Sequence, residues 1–235
     1  MQRASSIIDD PAARLEGVRD RIARAALAVG RAPSAVTLIA VSKTFPTEAL
    51  RAAYAAGQRH FGESYVQEVL AKMAALADLP DIVCHFIGPL QSNKTRPIAE
   101  RFDWVHSVDR LKIAERLSAQ RPADRAPLQA CLQVNVSGEA TKSGADPDAL
   151  GHLADAVATL PNLSLRGLMT IPEPSDDPLL QRRRFASLRR LLEAQAPKHP
   201  GMDTLSMGMS DDLESAIAEG ATFVRVGRAI FGIRA

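Results

Sequence analysis

Leu38-Ile39-Ala40-Val41 runs straight into Ser42-Lys43-Thr44-Phe45, and Pro46 ends the run. Four apolar residues bounded by a proline read as a short buried strand whose last residue is Lys43. Residues 48–56 then carry apolar positions at helical spacing. A lysine at the carboxyl end of a strand, just before a strand-to-helix loop, stands where parallel α/β proteins bind ligands. Partial desolvation there lowers the pKa of the amine and suits it to form a Schiff base with an aldehyde. The plain alternative is a lysine whose stem lines the strand and whose ammonium reaches water at the rim.

Two later stretches bear on that choice. Leu205-Ser206-Met207-Gly208-Met209-Ser210 and Arg225-Val226-Gly227-Arg228 each come off a short apolar run. Taken singly they read as helix caps with packing glycines. Backbone N–H groups at such turns also cradle phosphates, and Arg228 adds charge. Arg225 suits a contact to a ring nitrogen or a pairing with an acid. With a strand-end lysine, the two turns point to an aldehyde-bearing phosphate ester, and pyridoxal 5′-phosphate fits.

These residues need strands to carry them. A helical pattern begins at Pro11, with Leu15, Val18, Ile22, Ala25, Ala26 and Val29 on one face and Gly30 as its stop. Strand-like runs follow at 36–42, 59–62, 82–87, 104–108, 128–136, 163–170, 204–206 and 222–226, with helical runs between them. Asp109, Asp146-Pro147 and Ser210 with Asp211 and Asp212 read as helix starts. Eight strands alternating with helices predict a single (β/α)8 barrel with an extra leading helix; the runner-up is an open doubly wound sheet. Residues 1–10 are expected to be a flexible terminus, and 11–235 the barrel domain. In a barrel the strand ends converge on one mouth. They carry Lys43, Ser64, His85, Asn135, Met169, Ser206, Arg225 and Gly227.

Other features narrow the function. The charge balance is +2, from 29 basic and 27 acidic residues, and no aromatic platform interleaves the basic ones, so nucleic acid is not an expected partner. No apolar run reaches the ~18 residues of a membrane span, and the first ten residues lack a signal-peptide core. Cys84 and Cys131 lack CxxC spacing and read as reduced core residues. Together these favour the cytoplasm. No His/Cys/Asp/Glu cluster has metal-ligand spacing. His85 lies in an apolar strand run and reads as a satisfied core or rim histidine, or as a base. The arginines of 182–190 read as a solvated helix face.

Ala40-Val41-Ser42-Lys43-Thr44, Phe61-Gly62-Glu63-Ser64-Tyr65-Val66-Gln67-Glu68 and His85-Phe86-Ile87-Gly88-Pro89-Leu90-Gln91-Ser92-Asn93-Lys94 resemble the pyridoxal phosphate homeostasis protein family. So do Gln133-Val134-Asn135-Val136, Gly167-Leu168-Met169-Thr170-Ile171-Pro172, the 205–212 stretch and Arg225-Val226-Gly227-Arg228-Ala229-Ile230-Phe231-Gly232. The matches run from Val36 to Gly232. The resemblance implies a barrel like the N-terminal domain of alanine racemase, without the second β-domain. It implies pyridoxal phosphate held as an imine on Lys43, with phosphate contacts from Ser206 and the backbone around Gly227 and Arg228. It implies a carrier or buffer of the cofactor with no established catalysis, and cofactor-dependent apoenzymes as acceptors. Two positions depart from the family pattern: Ser64 replaces the usual Asn, and Arg228 the usual Thr.

The competing reading is a pyridoxal-phosphate enzyme such as an amino-acid racemase. That chemistry needs a second base opposite the lysine, and the two tyrosines, Tyr54 and Tyr65, sit in helical patterns. A Schiff-base aldolase is a third reading and needs no cofactor. Without the second domain, the usual racemase dimer surface is missing, so a monomer is expected.

Overall fold

The computed structural model describes residues 11–137 and 143–232. The flexible-terminus reading of residues 1–10, and part of the polar loop after the fifth strand with Lys142, lie outside the described residues. Eight parallel strands close into a barrel in chain order: β1 (Thr37–Val41), β2 (His60–Glu63), β3 (Val83–Phe86), β4 (Trp104–Val108), β5 (Leu128–Gln133), β6 (Leu163–Met169), β7 (Thr204–Ser206) and β8 (Phe223–Val226). Closure is made by β1 against β8, with Ile39 opposite Arg225 and Ala40 opposite Val226. That pairing removes the open-sheet alternative.

The helices are α1 (Pro11–Ala28), α2 (Thr47–Ala55), α3 (Val66–Ala75), α4 (Thr95–Arg101), α5 (Leu111–Gln120), α6 (Leu150–Ala158), α7 (Pro178–Gln195), α8 (Leu213–Ala218) and α9 (Arg228–Phe231). The extra helix α1 buries Leu15, Val18, Ile22 and Ala26 and packs on α2, α8 and α9. Two helix starts differ from expectation. Asp109 pairs with Arg110 at 2.7 Å and α5 opens two residues later. At α8 the Asp212 carboxylate, not Ser210, takes the cap position and accepts the Met209 N–H at 2.6 Å. The arginine-rich face of α7 is spent on carboxylates, with Arg182 and Arg189 on Glu219 and Arg184 on Glu173.

Alternation along the strands separates two layers. Phe61, Phe86, Val105 and Val224 point outward into the aliphatic core shared with the helices. Phe86 and Phe102 meet edge-on there at 5.4 Å. Each large side chain buried in this layer contributes about 1.5–3 kcal/mol. His60, His85, His106, Trp104 and Phe223 share the other face and touch one another inside the barrel. The interior is therefore aromatic and polar, unlike the branched aliphatic filling usual in such barrels.

Backbones crowd where β2 and β3 leave the barrel. A Cβ on Gly88 would stand 2.4 Å from the Ser64 carbonyl oxygen. Backbone atoms cannot yield as a side chain can, so Gly88→Ala is expected to cost on the order of 1–3 kcal/mol, read as a lower urea midpoint. A Cβ on Gly17 of α1 would meet nothing within 4 Å, and Gly17→Ala should be neutral or gain up to roughly 1 kcal/mol.

Candidate functional site

Lys43 is half-buried in the turn after β1, two residues beyond Val41. The strand stops short of the lysine for a local reason. The Ser42 N–H still bonds the Gly62 carbonyl at 3.0 Å, but the Ser42 carbonyl turns to the Phe45 N–H and to Lys72 Nζ, at 3.1 and 2.6 Å. Lys72 rises from α3 and also bonds Glu63 Oε1 at 2.9 Å and Glu68 Oε1 at 2.6 Å. Ser42 Oγ donates to Glu63 Oε1 at 2.7 Å, and the Thr44 N–H donates to Glu68 at 2.5 Å. Burial pushes the Glu63 carboxyl up, and the bonds from Lys72 and Ser42 pull it back. Thr44 has φ +70°, a region that β-branched residues rarely enter. The clamp from β2 and α3 thus holds a strained turn that presents Lys43.

The neighbouring sector of the rim comes from β8. A Cβ on Gly227 would lie 3.1 Å from the Val41 carbonyl, so the two strand exits are in near contact. Arg228, next in line, is exposed and pairs with the exposed Asp211 of the loop after β7. Ser64 follows β2 and is half-buried. Asn135 follows β5, half-buried, with Oδ1 accepting the Ser137 N–H at 3.2 Å. Met169 closes β6, fully buried, in register with Gln133 and Ser206.

Below the rim, Arg225 is 3 % exposed. Its guanidinium donates to Ser206 Oγ at 2.8 Å and to the Thr170 carbonyl at 2.9 Å. Among the described residues no carboxylate pairs with it. Burial lowers its pKa to about 10, and the nearby Asp212 charge offsets part of that. Ser206 Oγ also meets His106 Nδ1 at 2.8 Å; His106 Nε2 meets His85 Nδ1 at 2.9 Å; His85 Nε2 meets His60 Nδ1 at 2.9 Å. His60 is half-buried and borders a cleft of about 390 Å³ between α1 and the starts of β1 and β2. Burial holds all three rings neutral. His85 is held well below the usual imidazole range, and His106 falls to about 3, helped by the Arg225 charge.

Of the residues expected at the mouth, Arg225, Met169, His85 and Ser206 are therefore buried. His85 is fully buried and both its ring nitrogens are taken by histidines. Ser206 is fully buried with its hydroxyl between Arg225 and His106. Each faces the interior because its position on the strand has the same parity as its neighbours' inward residues. In the same loop, Ser210 is the half-buried hydroxyl nearer the surface. His60 and His106 do not stand out in the sequence, although each lies in a strand-like run one strand away from His85. Lys72 and Glu63 carry no signal beyond an ordinary helix lysine and strand glutamate. Tyr54 is bonded to Asp81 under the Arg59 guanidinium, and Tyr65 is 54 % exposed.

A one-domain α/β barrel with a rim lysine and a buried arginine defines the architecture matched by the alanine racemase N-terminal domain model, over residues 15–235. The chain belongs to the pyridoxal phosphate homeostasis protein family. It is 64% identical over 217 residues to the protein of that name from Pseudomonas aeruginosa, covering 92% of this chain and 93% of the relative. It is 51% identical over 232 residues to the one from Escherichia coli K12, covering 97% and 98%. Among solved structures, PipY of Synechococcus elongatus without pyridoxal phosphate superposes with a TM-score of 0.84 at 43% identity, over 94% of this chain and 99% of PipY. PipY with the cofactor bound gives 0.83 at 42%, over 94% and 100%. Alanine racemase from Corynebacterium glutamicum shares the fold, with a TM-score of 0.63 at 21% identity; the match covers 93% of this chain and 62% of the racemase.

The buried rings make acid stability a direct readout of this interior. Unfolded histidines take up protons near pH 6.5, whereas the folded His60 ring does so at lower pH and the His85 and His106 rings not until far lower. The unfolded state then binds more protons, so stability is level above about pH 6.5 and falls as pH drops towards 3. The slope is up to ~1.4 kcal/mol per pH unit for each ring. Urea unfolding at pH 7.5, 6.5 and 5.5 measures it, and His106→Asn should remove one ring's share of the slope.

Proposed function

We propose that the protein binds pyridoxal 5′-phosphate as an imine on Lys43 and serves intracellular homeostasis of that cofactor, holding and releasing it without catalysing turnover. The observation that carries the reading is a half-buried rim lysine and a buried guanidinium that no carboxylate bonds among the described residues. That donor set suits an anionic aldehyde with a ring acceptor. The relatives' name and the cofactor in PipY support it. The Lys43 amine would attack the aldehyde carbon and release water, while Arg225 faces the ring nitrogen. Ser64, Asn135 and Met169 would line the mouth. The phosphate would lie at the Gly227-Arg228 turn beside the loop that carries Ser210, and His85 and Ser206 would act from beneath.

A racemase-like enzyme is the second reading, favoured only by the shared barrel. Neither tyrosine is set as a second base: Tyr54 is engaged with Asp81 and Arg59, and Tyr65 points to solvent. An open mouth also admits water, which weakens electrostatic control. The carrier reading places the protein in the cytoplasm, with cofactor-dependent apoenzymes as acceptors. Among the described residues no helix is long and apolar enough to cross a membrane. A monomer is supported by large exposed apolar side chains that are spread over several segments, among them Leu27, Tyr65, Leu111 and Leu179.

Absorbance of the protein mixed with pyridoxal phosphate tests the lysine. An imine band should form, and Lys43→Ala should abolish it with the fold intact. Borohydride reduction and peptide mapping should find the pyridoxyl group on Lys43, whereas label on Lys94 or Lys142 overturns the assignment. Chiral chromatography after incubation with alanine or serine should show no racemisation above background. Sustained racemisation lost in Lys43→Ala establishes the enzyme instead.

Arg228 gives a separate expectation. Its guanidinium is engaged with Asp211 at the surface, and exposed pairs are worth about 0–1 kcal/mol. Arg228→Ala should therefore change pyridoxal phosphate affinity by less than about threefold. A loss of tenfold or more, absent with pyridoxal, would mean that the side chain leaves Asp211 for the phosphate.

A further inference from the structure

The chain of bonds from Arg225 to His60 can run in only one direction. A guanidinium has five N–H donors and no acceptor. In the 2.8 Å contact with Arg225, Ser206 Oγ must therefore accept. Ser206 has one proton to give, and among the described residues its other partner is His106 Nδ1. That nitrogen accepts, so the His106 proton sits on Nε2 and is donated to His85 Nδ1. The same step repeats: His85 carries its proton on Nε2 and donates it to His60 Nδ1. His60 is left with Nε2–H, on the side of the amino-terminal cleft.

The opposite direction fails at the Ser206 end. It would bring two donors, Arg225 and His106, onto Ser206 Oγ and leave the buried hydroxyl proton without an acceptor. Leaving a buried donor unmatched is costly. A proton added to His60 would likewise set its Nδ1–H against the Nε2–H of His85.

We infer that His60, His85 and His106 are positioning residues for the cofactor site, locked by Arg225 in one shared tautomer with the proton on Nε2. The inference rests on the proposed cofactor reading and adds a role that the sequence did not assign. Aligned donors polarise one another and strengthen Ser206 Oγ as an acceptor. The chain thus holds the Arg225 guanidinium in place through dipoles, with the Asp212 charge nearby but not bonded to it among the described residues. A carboxylate in that position would hold it equally well but would cancel its charge. With dipoles in direct contact, the buried cation is not cancelled by a bonded carboxylate and stays available to the group bound above it. Phe223 and Trp104 pack against the rings: Trp104 lies 18° from the His85 plane at 5.7 Å, and Phe223 stands edge-on to His85 at 5.3 Å and to His106 at 5.7 Å. Consecutive rings are tilted 43° and 45° to one another.

Nitrogen-15 NMR of the histidine-labelled, cofactor-free protein tests the lock directly, since protonated and bare ring nitrogens have separate shifts. At pH 7.5 all three rings should be neutral with a bare Nδ1 and a protonated Nε2. Ser206→Ala removes the donor that fixes the chain, and the His106 ring should then populate both tautomers. A ring protonated on Nδ1 in the wild type, or tautomers indifferent to Ser206→Ala, overturns the inference. Cofactor retention tests the positioning role. His106→Leu should weaken binding of pyridoxal phosphate and of pyridoxal alike, by on the order of tenfold. His106→Asn, whose side-chain oxygen replaces Nδ1 as acceptor, should recover most of it. Wild-type affinity in a folded His106→Leu protein overturns the role. Should that variant fail to fold, the wild-type tautomers and the Ser206→Ala comparison still decide the lock. A locked chain in a protein that takes up no pyridoxal phosphate would instead remove the cofactor reading and leave the relay standing.

Discussion

A guanidinium buried inside a barrel, with no carboxylate bonded to it among the described residues, sets the terms for much of this molecule. Moving a cation of that size out of water costs several kcal/mol even after the protein relaxes. Arg225 meets the cost with a serine hydroxyl, a backbone carbonyl and a file of imidazoles behind the serine. Those partners occupy the barrel interior that aliphatic side chains would otherwise fill. Hydrophobic stabilisation is correspondingly shifted to the outer layer, where the strands meet the helices. The interior is built around a charge, and the outer layer supplies the cohesion that such an interior lacks.

Lys43 is controlled from the other side of the sheet. Next to it, Ser42 points outward to the Glu63–Lys72 pair. The ion pair is nearly closed to solvent, and such pairs add little net stability compared with apolar packing. Their use here is geometric. Lys72 captures the Ser42 carbonyl, Glu68 captures the Thr44 N–H, and the turn between them is held in a conformation that Thr44 would not adopt unaided. Strain beside Lys43 is maintained by groups of β2 and α3.

Much of the plan was legible in the chain itself. Period-two and helical patterning marked all eight strands and the leading helix, because each element has one face on the outer core and must show it in composition. Lys43, Gly227 and Arg225 were singled out by their expected place at strand ends, and the structure places Lys43 and Gly227 just beyond β1 and β8 and Arg225 in β8. Strand limits were less exact. No breaker stands in the sequence before Pro46, but the Ser42 carbonyl turns to the Phe45 N–H and to Lys72, and the strand ends at Val41.

What the sequence determined by itself is the order of elements and a lysine just beyond the end of the first strand, since both depend on local patterning and residue type. Depth and direction were decided by the tertiary structure. Whether His85 and Ser206 open on the mouth or on the interior depends on barrel closure and on inter-strand register. The meeting of His60, His85, His106 and Ser206, residues up to 146 positions apart, exists only once the strands are laid side by side. Arg228 likewise looked in sequence like a charge for the mouth, and Asp211 draws it to the surface because the loops after β7 and β8 become neighbours in the closed barrel.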